Sequence, residues 1–101
     1  MIYQLVVPGQ VEDVEEMRVL EWHGEVGRVF AEGELIVELE TYKAAVEVRS
    51  GQRGVLRRVL CAPGDWQKVG KPLALLSDDP AELLPASPDA LAPWLVNFEI
   101  T

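Results

Sequence analysis

Lys43 is the residue of this chain whose type and setting most favour chemistry. It lies in the pentapeptide ETYKA, between two runs of alternating apolar and polar residues at positions 35–40 and 45–48. Two such runs around a short break predict a β-hairpin, with Lys43 at its tip. A primary amine on the most exposed part of a rigid turn is accessible to a modifying enzyme. The pattern therefore favours covalent attachment at Lys43 over catalysis by it.

Few other residues offer a chemical function. Cys61 is the only cysteine and His23 the only histidine. Nothing near Cys61 in sequence indicates an activated thiolate, so we expect it to pack as a small apolar side chain. His23 precedes Gly24 and is expected to be an ordinary loop residue, since no second histidine exists to build a metal site. The chain is therefore predicted not to be an enzyme and to hold no metal.

The composition predicts one turn-rich globular domain. Of 101 residues, 49% are hydrophobic and 26% charged, with 7 prolines and 8 glycines, and a chain of this length builds one modest core. The net charge of -8 argues against nucleic acid as a partner and favours basic protein surfaces. One cysteine, no basic leader and no long apolar stretch predict a cytoplasmic protein outside the membrane.

An internal duplication organises the strands. Residues 27–39 (GRVFAEGELIVEL) resemble residues 64–76 (GDWQKVGKPLALL) at a constant offset, which aligns Gly27 with Gly64 and Gly33 with Gly70. Short strands between glycine-marked turns predict an all-β flattened barrel or sandwich with pseudo-twofold symmetry. At the same offset Lys43 aligns with Pro80, where no hairpin pattern exists. Only the first copy is therefore expected to carry the lysine hairpin.

Further strands are predicted at residues 2–7, 17–22, 55–61, 66–69 and 72–76. Met17, Val19 and Trp22 are the expected buried positions of the second of these. The acidic segment 10–16, which includes Glu12 and Glu16, is expected to be either a solvated loop or a recognition surface beside the hairpin tip.

The tail, residues 77–101, differs from the preceding domain, residues 1–76. It contains four prolines, which exclude a long helix. Asp79 and Ser87 each precede a proline, as helix N-cap residues do, so two single-turn helices are expected. Alternation over residues 96–101 predicts an additional strand.

The tail also contains large apolar side chains, which a flexible linker does not need. From Trp94, Phe98 and Ile100 we expect it to dock on its own domain or on a partner, and Leu95 would join them if the tail binds a partner.

With the lysine hairpin and the duplicated glycines, the chain resembles the lipoyl domains of the acyltransferase subunits of 2-oxo acid dehydrogenase complexes, within the biotinyl/lipoyl carrier family. The similarity runs without a gap from about Tyr3 to Leu76. The residues that carry it are Pro8, Trp22, Gly27, Gly33, Glu40, Thr41, Lys43, Ala44, Gly54, Gly64, Asp65, Val69, Gly70 and Leu73.

The resemblance implies two four-stranded antiparallel sheets, with lipoate in amide linkage to Lys43 at the hairpin tip. It implies that Glu40, Thr41, Tyr42 and Ala44 shape the turn for a lipoate ligase or lipoyl transferase. The implied partners are a 2-oxo acid dehydrogenase-type decarboxylase, an acyltransferase and dihydrolipoamide dehydrogenase, between which the dithiolane carries acyl groups and reducing equivalents.

The chain departs from the family pattern in three places. Tyr42 stands where the family usually has Asp before the lysine, which bears on the ligase or dehydrogenase that reads the turn. Arg28 follows Gly27 where Asp is common, whereas the second copy keeps Gly64 and Asp65. No catalytic or subunit-binding domain follows before Thr101, which predicts a free-standing carrier unless the chain is an excised piece.

Three other functions remain open at this point. Biotin carriers of this fold typically have Met on each side of the lysine, where this chain has Tyr42 and Ala44. The glycine-cleavage H protein has more chain ahead of its lysine. In a non-carrier binding module, the tail docks a partner and Lys43 stays unmodified.

Overall fold

The computed structural model describes residues 1–9, 11, 13–85 and 91–100. Within these ranges the chain forms ten strands and no helix, so no helix able to cross a membrane occurs there. The strands are β1 (Ile2–Val6), β2 (Glu16–Trp22), β3 (Val29–Phe30), β4 (Leu35–Glu40), β5 (Ala45–Ser50), β6 (Gly54–Val59), β7 (Trp66–Lys68), β8 (Pro72–Ser77), β9 (Ala92–Pro93) and β10 (Val96–Ile100).

The strands form two five-stranded sheets. One has the order β3-β6-β8-β1-β9 and the other β10-β5-β4-β2-β7. Every strand pair is antiparallel except β1 with β9, which is parallel. The predicted all-β sandwich is confirmed. Each sheet has five strands instead of the expected four because the tail adds β9 to one sheet and β10 to the other.

The duplicated glycines have matching backbone conformations. Gly27 and Gly64 have φ angles of 99° and 94°, and Gly33 and Gly70 have φ angles of 89° and 82°. This left-handed region is open to glycine and strained for most other residues. A Cβ at these positions would meet no atom within 4 Å, so glycine is required for its backbone conformation and not for space.

The two copies complete each other through reciprocal hydrogen bonds. The amide of Gly27 donates to the carbonyl of Leu56 at 2.7 Å, and the amide of Gly64 donates to that of Val19 at the same distance. Val19 and Leu56 occupy equivalent positions of the two copies. The register shifts that follow them, in the β2–β4 and β6–β8 pairs, are also equivalent. The pseudo-twofold symmetry read from the sequence is therefore present in the backbone.

The same reciprocity explains why Arg28 is tolerated where the second copy has Asp65. The carbonyl of Arg28 accepts from the amide of Leu56 at 3.0 Å, and the carbonyl of Asp65 accepts from the amide of Val19 at 2.9 Å. Both positions support the turn through the backbone. The side chains differ in their contacts, since the Asp65 carboxylate accepts from the amide of Ala62 at 2.8 Å and the Arg28 guanidinium lies 4.6 Å from the centre of the Phe30 ring.

The core lies between the two sheets and is built from inward-facing residues of the alternating strands. As predicted, Met17 and Val19 are fully buried and Cys61 is buried. Trp22 is partly buried, and its indole Nε1 donates to the carbonyl of Cys61 at 2.8 Å. The largest fully buried side chains also include Phe30, Leu5, Ile36, Leu39, Leu56, Leu73, Leu75 and Leu76.

The additional strand predicted in the tail is present as β10, which pairs with β5 from Val96↔Ser50 to Ile100↔Val46. Ahead of it, Trp94 is only 3% exposed, while Leu95 and Ile100 are largely exposed. The described part of the tail after residue 90 thus docks on its own domain, with Trp94 as the buried anchor.

At the start of the tail, a turn replaces the single-turn helix expected after Asp79. The amide of Glu82 donates to the carbonyl of Asp79 at 3.3 Å, but the turn is not continued. The guanidinium of Arg57 donates to the carbonyls of both residues, at 3.1 Å and 2.6 Å, and so occupies the acceptors of a helix. The other predicted turn, at Ser87 and Pro88, lies outside the described residues.

Candidate functional site

Lys43 lies in the four-residue loop, residues 41–44, between β4 and β5. These strands pair in register up to Glu40↔Ala45, and the amide of Thr41 donates to the carbonyl of Ala44 at 2.8 Å. Tyr42 and Lys43 are therefore the residues at the tip of the hairpin, as the sequence pattern predicted.

The Thr41 side chain holds this loop. Its Oγ1 accepts from the amides of Lys43 at 3.1 Å and Ala44 at 3.0 Å, and its hydroxyl donates to the carbonyl of Ala44 at 3.1 Å. Thr41 is only 5% exposed, so these bonds are largely shielded from competing water. The buried hydroxyl fixes the backbone from which the Lys43 side chain extends.

The backbone of the loop explains why a hydroxyl is needed. Asp13 is the only described non-glycine residue with positive φ. Tyr42 and Lys43 therefore do not form the usual two-residue hairpin turns, types I′ and II′, which require positive φ at both central positions or at the first of them. Without that geometry the amide of Ala44 donates to the hydroxyl of Thr41. A side chain thus supplies the acceptor, and the loop needs neither Asn nor Gly.

We expect Thr41→Val to loosen the loop. Valine keeps the branched shape but removes the hydroxyl that accepts from two amides and donates once. The free energy of unfolding should fall by about 1–3 kcal/mol, as measured by urea denaturation. Thr41→Ser, which restores the hydroxyl, should recover most of this loss. A valine variant as stable as the original chain would contradict the role assigned to the hydroxyl.

Among the described residues, Asp13 and Tyr42 have side chains close to the amine of Lys43. Its Nζ is 3.9 Å from Asp13 Oδ2 and 5.3 Å from the centre of the Tyr42 ring. Tyr42 is 72% exposed, as expected for the tip, and its hydroxyl donates to the carbonyl of Asp13 at 3.3 Å. The hairpin tip is therefore linked to the acidic segment that follows β1.

Asp13 and Tyr42, together with Trp66, line a groove of about 480 Å³. Its lining residues are Asp13, Val14, Glu15, Glu16, Tyr42 and Trp66. Two aromatic rings in an otherwise acidic groove offer apolar contact together with attraction for a basic partner. The amine of Lys43 thus stands at the rim of a shaped, negatively charged surface.

The other predicted site residues lie around this loop. The carboxylate of Glu40 is 3.6 Å from the guanidinium of Arg18 on β2, in an exposed ion pair. Ala44 closes the loop through its backbone. Of the acidic segment 10–16, Gln10 and Glu12 lie outside the described residues, and the remainder approaches the hairpin through Asp13.

Trp66 is a residue of this surface that the sequence did not single out. It lies on the three-residue strand β7, opposite Arg18 on β2, and is 51% exposed. A tryptophan in a very short strand that directly follows a Gly-Asp turn is the signal that points to an outward-facing ring.

Cys61 takes no part in this site. Burial raises the pKa of its thiol, and the nearby carboxylate of Asp65 raises it further. The thiol therefore stays protonated near neutral pH and is a poor nucleophile.

Known proteins are similar to this chain over the region from β1 to β8, which contains the lysine hairpin. The biotin/lipoyl family model, described as "Biotin-requiring enzyme", matches residues 3–76. The match begins in β1, ends in β8 and includes the complete lysine hairpin.

Individual relatives are similar over the same region. The dihydrolipoyllysine-residue succinyltransferase components of the 2-oxoglutarate dehydrogenase complexes of Staphylococcus saprophyticus and Bacillus subtilis are 40% and 33% identical over 74% and 78% of this chain. The lipoamide acyltransferase component of the branched-chain alpha-keto acid dehydrogenase complex of Pseudomonas aeruginosa is 33% identical over 86% of it. The chain spans only 18%, 19% and 20% of the lengths of these three relatives. Since the family model covers most of its residues, the chain belongs to the biotin/lipoyl family.

Proposed function

We propose that this chain is a lipoyl carrier domain that carries lipoate in amide linkage on Nζ of Lys43. The observation that carries the proposal is the position of Lys43 in a loop fixed by Thr41, at the tip of the β4–β5 hairpin and within the family match. The Lys43 side chain is 45% exposed, so an enzyme that delivers an activated carboxyl group has access to its amine.

The attachment is an acyl transfer to the amine. The neutral form of Nζ attacks the activated carboxyl carbon of lipoate, the activating group leaves, and the nitrogen loses a proton as the amide forms. The amide abolishes the positive charge of Lys43 and with it the attraction to Asp13. When bound, the dithiolane supplies reversible disulfide chemistry and a thioester carrier.

Lipoate is the better candidate than biotin for two reasons. The three relatives named above are dihydrolipoyllysine or lipoamide acyltransferases by name. In addition, Lys43 is flanked by Tyr42 and Ala44, whereas biotin carriers of this fold typically have a methionine on each side. The family as a whole includes both cofactors, so the choice between them needs a direct measurement.

We expect the full chain to acquire the mass of one lipoyl group when it is incubated with a lipoate ligase, ATP and lipoate. With a biotin ligase, ATP and biotin it should keep its unmodified mass. Intact-mass spectrometry of the two reactions checks this, with a known lipoyl domain and a known biotin domain as positive controls. A biotinyl adduct without a lipoyl adduct would reverse the cofactor assignment, and no adduct in either reaction would contradict a carrier role.

In this function the chain performs no bond-making step itself. It presents the arm to the enzymes of a 2-oxo acid dehydrogenase-type complex, which we propose to be a decarboxylase, an acyltransferase and dihydrolipoamide dehydrogenase. The groove formed by Asp13, Tyr42 and Trp66 lies beside the attachment point. Its acidic lining is suited to a basic surface on a partner, since complementary charge speeds encounter and disfavours wrong partners. Because Tyr42 lines this groove and lies next to the lysine, we expect it to affect which partner binds.

A further inference from the structure

A second cluster of chemically active side chains lies on the outer face of the sheet that carries the hairpin. His23 Nε2 is 2.7 Å from Glu38 Oε1 and 3.5 Å from Glu21 Oε2. One atom from each side chain lies within 4.8 Å of those from the other two. The His23 and Glu38 side chains are 29% and 33% exposed, and that of Glu21 is 67% exposed. The cluster is therefore partly enclosed on one side and open to solvent on the other.

The backbone holds these three residues in place. Glu21 and Glu38 are directly paired in the β2–β4 ladder. The amide of His23 donates to the carbonyl of Ile36 at 2.8 Å, which extends the same ladder by one position. The preceding residue, Trp22, is anchored by its hydrogen bond to the carbonyl of Cys61. The pairing of β2 with β4 thus brings the side chains of Glu21, His23 and Glu38 together.

The fold itself does not require these residue types. At equivalent positions of the second copy stand Arg58, Leu60 and Leu75. The backbone there is the same, since the amide of Leu60 donates to the carbonyl of Leu73 at 2.9 Å, as that of His23 does to Ile36. The second copy thus forms the same strand pair with no imidazole or carboxylate at these three positions. The cluster, like the lysine hairpin, belongs to the first copy alone.

The carboxylates of the cluster lie in a row of like charges that a bound cation would offset. Glu21 faces Glu38 across one strand pair, and Glu38 faces Glu47 across the next. Like charges directly opposite each other destabilise a sheet. Glu47 has a partner in the guanidinium of Arg49 at 3.4 Å. With a neutral imidazole, the other two carboxylates carry a charge that matches one divalent cation.

We propose that Glu21, His23 and Glu38 bind a divalent transition-metal ion, with Zn²⁺ as the best match. One imidazole nitrogen and two carboxylate oxygens are ligands that zinc accepts, and three protein ligands leave an open position for water. Zinc–ligand bonds of about 2.0–2.1 Å place tetrahedral ligands about 3.3 Å apart. The present separations of 2.7 Å and 3.5 Å from the imidazole nitrogen lie on either side of this value, and the ligand atoms of the two glutamates lie within 4.8 Å of each other. Rotation of the glutamate side chains would bring the three ligand atoms to tetrahedral spacing.

In the sequence, His23 was expected to bind no metal because a second histidine is absent. The partners of the imidazole are carboxylates, and the structure places them on two neighbouring strands. The competing explanation is a network in which the His23 imidazole is hydrogen-bonded to Glu38 and lies beside Glu21 without a metal. That network needs no metal, so a binding measurement separates the two. The site is independent of the lipoate attachment proposed above.

The test is a titration of the full chain with Zn²⁺ by isothermal calorimetry, in a buffer that does not bind zinc and with any affinity tag removed. The chain carries Lys43→Arg, so that no attached dithiol competes for the metal. We expect one Zn²⁺ per chain. His23→Gln and Glu38→Gln should each raise the dissociation constant by at least about tenfold, while Glu99→Gln, an exposed residue elsewhere on the same sheet, should change it by less than about twofold.

Two further measurements keep the result decisive. Thermal unfolding without metal should show that each variant is folded, and Co²⁺ in place of Zn²⁺ should give visible absorption without the intense near-ultraviolet band of a thiolate ligand. Absence of binding, or binding that survives both His23→Gln and Glu38→Gln, would overturn the proposal. A thiolate band would also overturn it, because the metal would then be bound at Cys61.

Discussion

Lys43→Arg is expected to abolish modification of the chain completely. Arginine keeps the positive charge and much of the length of lysine, so the attraction to Asp13 and the contact with Tyr42 are retained. Its guanidinium stays protonated at any pH that the protein survives and has no free amine for amide formation. The intact mass after incubation with lipoate ligase, ATP and lipoate should therefore stay that of the unmodified chain.

The matched control is Lys68→Arg. Lys68 is an exposed lysine at the end of β7, in a strand instead of a hairpin loop, and this variant should acquire one lipoyl group like the original chain. Lys43→Arg should also unfold at the same urea concentration as the original, because the loop is held by Thr41 and not by the lysine side chain. A lipoyl adduct on the Lys43→Arg variant would place the attachment at another residue and refute the site assignment.

Trp94→Ala is expected to be the most destabilising single change in the described tail. The indole is 3% exposed, donates through Nε1 to Ser50 Oγ at 3.0 Å and contacts the Tyr3 ring edge-on at 5.2 Å. Truncation of a buried tryptophan costs about 3–5 kcal/mol. Part of this cost should appear as release of the tail, so amides of β5 that pair with β10 should exchange with deuterium faster than those of the central strand β4.

Two further variants test whether the effect of Trp94→Ala is specific to the buried indole. Leu95→Ala removes a neighbouring side chain that is 59% exposed and should cost less than about 1 kcal/mol. Gly54→Ala tests the same anchor from the other side, because a Cβ at Gly54 would overlap the Trp94 ring and would lie 2.8 Å from the carbonyl oxygen of Ser77. It should release the tail as Trp94→Ala does. Unchanged urea unfolding and unchanged exchange of β5 in Trp94→Ala would show that the indole does not anchor the tail.

Much of the central fold was predictable because its determinants are local. The alternation of residues 35–40 and 45–48 identified β4 and β5 and placed Lys43 between them. The four turn glycines were recognisable as pairs because a left-handed φ favours one residue type whatever surrounds it. The predicted burial of Met17 and Val19 followed from the two-residue period of a strand.

The tail was predicted less well because its structure depends on distant residues. Asp79 and Pro80 have the local signature of a helix start, but Arg57, which is far away in sequence, binds the carbonyls that a helix would use. The strand β9 was missed because it has only two residues, and its pairing with β1 depends on an open sheet edge. Local patterns carry no information about such edges.

The sequence by itself determined the longer strands, where the left-handed turns fall and that one copy of a duplicated unit presents a lysine at a hairpin tip. These features depend on backbone preferences and on the alternation of neighbouring side chains. Only the tertiary structure decided that the tail completes both sheets, that Trp66 and Asp13 meet beside Lys43, and that His23 lies between Glu21 and Glu38. These features depend on strand register and on contacts between residues that are distant in sequence, and chain folding alone brings them together.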